Sequence, residues 1–261
     1  MRPSEATTMA VLNNLTGFLQ NSRRASVERL AQTKAINIEA LHTAPTLTLP
    51  VVEVSDEEKT RSAFFEAGLY LARQDAWHTL AERIRAADAE RSTTPAGIPE
   101  AELLAEGARA DVVTAAMRAV KTGDEATCES ILNDMAAILE EVPDHHGIAY
   151  VLAMAHVDIG WAWRGEGWRD DIPAANRAAF FRHFRKAADL IDAYDPFELN
   201  APMLASVRCA LLSSESRPRE RASDDYEDLI DLAPGVGKYI KALGAHMLPR
   251  WFGSLNGSTT K

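Results

Sequence analysis

Strict alternation of apolar and polar residues is almost absent from this chain, and that absence limits the fold more than any motif does. A half-buried strand needs a repeat of two, whereas a helix that packs on one face needs apolar residues three and four apart. The second pattern recurs along most of the sequence, as in Phe64, Phe65, Gly68, Leu69 and Leu71, and in Trp77, Leu80, Ile84 and Ala87. The exception, Thr46 to Val54, is interrupted by Pro50 and reads as an extended linker, because proline cannot donate to a central strand. Among 261 residues, 46% are hydrophobic, enough to build a substantial buried core from helices alone.

Helical pattern and turn residues together predict an all-α fold of antiparallel helix pairs. An N-terminal arm carries Met9, Leu12, Leu15 and Leu19, then Val27, Leu30, Ile38 and Leu41, and forms one unit with the linker over residues 1–54. A helix pair follows over 55–95. It is opened by Ser55, whose side chain can accept from free N–H groups of the first turn, with Glu58 completing a capping box. Gly68 lies inside the first of these helices, where two helices must come close. The run Arg91 to Pro99 marks an internal boundary. Over 98–254 the pattern predicts helices near Glu100 to Lys121, Asp124 to Val142, His146 to Arg164, Pro173 to Tyr194, Phe197 to Leu212, Asp224 to Leu232 and Gly237 to Phe252. Three of them end on a proline that stops the helix: Pro143, Pro196 and Pro234.

Helix pairs that end near a proline resemble the tetratricopeptide repeat, although the intervals from Pro143 to Pro196 and Pro196 to Pro234 both exceed its ~34 residues. A lone pair cannot hide its apolar stripe, so the pairs are expected to stack as a TPR-like α-solenoid, with 55–95 continuing into 98–254. The stretch from about Ala149 to Ser254 also resembles an uncharacterised bacterial family of tetratricopeptide-like domains. Three strings carry that resemblance: Ala162-Trp163-Arg164-Gly165-Glu166-Gly167, Phe184-Arg185-Lys186-Ala187-Ala188-Asp189-Leu190, and Leu248-Pro249-Arg250-Trp251-Phe252-Gly253-Ser254. Arg164 directly after Trp163, and Phe252 in place of a glycine, depart from the family pattern. The resemblance implies a helical-repeat fold and no particular activity.

Charge and cysteine usage narrow the function classes. A net charge of −10 makes nucleic acid and anionic lipid poor default partners. The longest apolar stretch, Gly147 to Trp163, contains His156 and Asp158 and is shorter than the ~20 residues of a membrane span. No secretory leader is evident in Met1 to Asn14. Cys128 and Cys209 lie in apolar helical stretches without CxxC spacing and read as buried thiols in a reducing, cytoplasmic, bacterial-type setting.

The sharpest candidate site is a tryptophan–arginine cluster: Trp161, Trp163, Arg164, Trp168 and Arg169, with Arg250 and Trp251 near the C-terminus. On a helix Trp161 and Trp163 point ~200° apart, so they cannot share a face. The cluster has two readings. One is a pocket for a peptide C-terminus or a small anion, with arginines holding the carboxylate. The other is core packing by large indoles. Arg177, Arg182, Arg185 and Lys186 crowd one helix beside Phe180, Phe181 and Phe184, which read as its buried stripe. His145 and His146 open a helix with His156 about three turns on, and no HxxxH or HExxH occurs, so no metal is expected. No nucleophile motif, phosphate-binding loop or dinucleotide fingerprint is present, and no cofactor is expected. The sequence thus favours a non-enzymatic scaffold or adaptor for a protein or peptide partner, with a homo-oligomer as a further possibility. The alternative is a small-ligand receptor or enzyme using the region 161–169 and 250–251.

Overall fold

The structure is a computed structural model that describes residues 54–142, 145–167 and 171–248. The arm over 1–53, and Trp168, Arg169, Arg250 and Trp251, lie outside the described residues. Among the described residues there are nine α-helices and no β-strand. In chain order they are α1 (Asp56–Arg73), α2 (Trp77–Glu90), α3 (Glu100–Thr122), α4 (Glu125–Glu141), α5 (His146–Arg164), α6 (Ala174–Ile191), α7 (Pro202–Leu211), α8 (Pro218–Leu232) and α9 (Gly237–His246).

Local chemistry sets most of the boundaries. The Ser55 hydroxyl accepts from the Glu58 N–H at 3.1 Å and starts α1. Glu58 contributes its backbone, while Glu57 reaches across to the Thr94 hydroxyl and the Ala96 N–H at 2.9 and 2.8 Å. Gly123, with φ of 70°, ends α3 in the left-handed region. Asp124 then caps α4 through the Thr127 N–H and hydroxyl at 3.0 and 2.7 Å. Two adjacent residues therefore stop one helix and start the next.

Two helices start elsewhere than the apolar pattern suggests. Phe197 does not open a helix. The Asp195 carboxylate accepts from the Phe197 and Glu198 N–H groups and holds a turn there. Asn200 takes a left-handed φ of 51°, and α7 begins only at Pro202. The helix expected from Asp224 starts earlier, at Pro218, a first-turn position where a missing N–H costs nothing. Its first turn carries charged side chains that give no apolar period to read.

The core forms around α5, which buries 14 of its 19 residues. Helices α2, α3, α4, α6 and α7 all pack on it, and α6 does so most extensively. The apolar stretch Gly147 to Trp163 is thus the central helix of the assembly, and no described helix is long and apolar enough to cross a membrane. A second apolar cluster joins α7, α8 and α9 through Cys209, Leu212, Tyr226, Leu229 and Tyr239. Arg91 ties it to α2. It ends α2 with a φ of 56°, and its guanidinium donates to the carbonyls of Asp88, Ala89, Leu232 and Asn200 and to Asn200 Oδ1.

Helices α1 and α3 meet backbone to backbone. A Cβ on Gly68 would fall onto the Leu104 carbonyl, and a Cβ on Gly107 would fall onto the Phe65 carbonyl. The two glycines therefore allow a reciprocal contact that no larger residue fits. Gly68→Ala and Gly107→Ala are each expected to destabilise the protein by about 1–3 kcal/mol despite better helix propensity. Gly244→Ala in α9, where a Cβ meets nothing within 4 Å among the described residues, is expected to be neutral or stabilising by up to about 1 kcal/mol. Urea titration of the three variants measures the difference.

Candidate functional site

Of the tryptophan–arginine cluster, Trp161, Trp163 and Arg164 are described, and all three lie in the last turn of α5. Trp163 is buried in the main core. Its indole N–H has no oxygen or nitrogen acceptor among the described residues. Burial pushes the Cys128 thiol up, and the Trp163 indole beside it pulls it partly back. Trp161 turns the other way, as the ~100° step requires. It meets Phe180 and Phe184 of α6 edge to face, with ring centroids 5.3 and 5.9 Å away. The Arg164 guanidinium covers the outer face of that indole at 5.5 Å from the centroid and donates to the Gly165 carbonyl. These three residues knit α5 to α6 and α4.

The basic helix α6 divides into separate faces. Arg182 pairs with Glu125 and Glu129 of α4, and Lys186 with Glu129. Phe180 and Phe184 are buried, as a core stripe would be. Phe181 is not: 48% of it is exposed. It shares with Phe184 and Arg185 one wall of a groove of about 400 Å³. Arg208 of α7, Glu215 and Arg221 form the other side. Arg221 is held by Glu215 at 2.8 Å and Asp225 at 3.2 Å. Arg185 makes no hydrogen bond or ion pair among the described residues. Arg208 has none among them either, and its charge acts from a distance on the Asp195 and Asp225 carboxyls, favouring their ionised forms. An exposed ring flanked by two guanidiniums without fixed anions is suited to a ligand with carboxylates and an apolar side chain. Trp161 supports this groove indirectly, through its contact with Phe184.

The remaining buried titratable groups have structural roles. The Asp88 carboxylate accepts from the Met203 N–H at 3.1 Å and caps α7 from the neighbouring α2. Desolvation pushes it up to about 7, against that hydrogen bond and Arg91. The cavity beside it, at about 10 Å³, has no room for a substrate. The buried Arg109 donates through Nε to the half-buried Asp158 at 2.7 Å and joins α3 to α5. Both cysteines are buried and unpaired, and burial pushes the Cys209 thiol up to about 12, so neither supplies a thiolate.

Histidines pair across helices in two places. His156 of α5 and His183 of α6 share one hydrogen bond between their Nδ1 atoms at 3.0 Å in the interior. At the other end of α5, His145 Nε2 lies 3.1 Å from His78 Nδ1 of α2, at the surface. Both pairs join residues far apart in sequence, so intrahelical spacing could not reveal them. The same holds for the groove, whose Arg208 had no local signal.

Comparison of the chain with protein-family models, with curated proteins and with solved structures found no match.

Burial pushes the pKa of His156 and of His183 below the ordinary imidazole value. In the unfolded chain each takes up a proton near pH 6.5, while the folded protein resists it. Their stabilising contribution is therefore complete above that pH and is lost as the solution is acidified. His183→Gln, whose amide can still reach His156, is expected to flatten the fall in stability between pH 7 and about pH 5. The flattening is up to ~1.4 kcal/mol per pH unit, read from denaturant midpoints.

Proposed function

We propose that this chain is a non-enzymatic binding protein that takes an acidic peptide segment of a partner protein in the groove between α6 and α7. The observation that carries the proposal is the exposed Phe181 beside Arg185 and Arg208, neither of which makes an ion pair among the described residues, in a groove of about 400 Å³. A segment with one apolar side chain and flanking carboxylates would satisfy all three. Three arginines and two carboxylates, Asp192 and Glu215, line the groove, so it is locally basic on a chain of net charge −10 and favours an acidic segment over the surface average. Absence of a thiolate, and the small volume beside the perturbed Asp88, support binding over catalysis.

We read the helices as a tetratricopeptide-like stack. Support comes from the series in which α1 packs on α3, α3 on α5 and α5 on α7, as alternate helices of stacked pairs do. The two unpaired cysteines fit a reducing cytoplasm.

A displayed peptide library selected on the full chain tests the groove. Enriched sequences are expected to carry Asp or Glu around an apolar residue. Their affinity, by fluorescence anisotropy, should fall about tenfold or more in Phe181→Ala and in Arg208→Glu, with unchanged thermal melting. Peptides without acidic enrichment, or binding by both variants as tight as by the wild type, would refute the assignment.

A further inference from the structure

At the entrance to α5, three donor side chains from two helices converge. His78 and Glu82 are four residues apart on α2, so both project from one face a single turn apart. His145 immediately precedes α5. His78 Nδ1 and His145 Nε2 lie 3.1 Å apart, with the rings nearly perpendicular at 81°. Glu82 Oε1 is 3.9 Å from His145 Nδ1. One donor atom from each of the three residues lies within 4.8 Å of the other two.

We propose that His78, Glu82 and His145 form a binding site for a divalent transition-metal ion of the zinc class. Two imidazole nitrogens bound to one tetrahedral ion at ~2.0–2.1 Å stand about 3.3 Å apart, close to the separation found here. Two nitrogens and a carboxylate suit zinc or cobalt and not calcium or magnesium, which take oxygen donors. Arg85 holds the other carboxylate oxygen, Oε2, at 2.5 Å, while Oε1 faces His145 Nδ1; because His145 would bind the ion through the Nε2 that faces His78, Glu82 would turn slightly to become the third ligand. His78 is exposed, so the ion would keep a coordination position open to water. The buried pair His156 and His183 lacks such a third donor, and the cluster with His78 is the one group of three among the described residues.

Bound metal would pin the start of α2 to the start of α5, two points 67 residues apart in the chain. It would stabilise the folded state by mass action, because the unfolded chain holds no such arrangement. The site is separate from the groove of α6 and α7, so either assignment can fail alone.

Calorimetric titration of the chelator-treated full chain with Zn²⁺ tests the site, with Co²⁺ as a spectroscopic probe. One equivalent of Zn²⁺ should bind, and Co²⁺ should give the visible absorption of a tetrahedral nitrogen and oxygen site. Affinity should fall at least about tenfold in His78→Ala and in His145→Ala, and by less in Glu82→Gln. Zn²⁺ should raise the melting temperature of the wild type but not of His78→Ala, whose exposed position leaves the fold unaltered. No stoichiometric uptake of either ion overturns the proposal. So does uptake that His78→Ala leaves unchanged, since the metal would then sit elsewhere.

Discussion

Burial of α5 over most of its surface is the condition on which the other helices depend. A helix with 14 of 19 residues out of water cannot be covered by one neighbour, because apolar contact is needed around its whole circumference. Five helices supply that cover, and each is fixed where its own apolar stripe meets α5. Residues on α5 that are not apolar must then find partners on the neighbouring helices. Asp158 meets Arg109 on one side, and His156 meets His183 on another. Polar groups thus specify which neighbour goes where, on top of the non-directional hydrophobic drive.

Covering the centre leaves the outer helices with polar faces, and the division is sharp on α6. Its buried rings serve α5, Arg182 and Lys186 serve α4, and Arg185 with Phe181 is left for solvent. The groove is what remains of α6 once the internal needs of the fold are met. The histidine clusters show the same division by environment. One imidazole pair is sealed among core side chains and stays neutral. The other sits at the rim with a carboxylate, where water and ions can reach it.

Helix type and approximate extent were legible in the sequence because they depend on local residues. Ser55, Gly123 and Asp124 act within a few positions, and Gly68 marked a close approach that is real on the backbone of α3. Helix starts were misread where tertiary contacts or charge hid the pattern, as at Phe197 and Asp224. The sites were legible only in fragments. Trp161 and Trp163 do face apart, and what each touches depends on α4 and α6. The groove needs Phe181 and Arg208 from different helices, and His78 meets His145 across 67 residues. No spacing rule within one helix encodes such meetings, since pairing of distant segments is decided by how the whole set of helices covers α5.

Arg91 shows how one position can carry two opposed demands. Its left-handed backbone is the conformation in which glycine would relax at no steric cost. Glycine would at the same time strip the guanidinium from four carbonyls and an amide that link the end of α2 to the turn before α7 and to the last turn of α8. Asparagine tolerates the dihedral and is too short to reach them, and lysine reaches but offers no planar fork. Substitution at this residue is therefore penalised from both directions, so the junction of the two hydrophobic clusters tolerates local strain as the condition of staying joined.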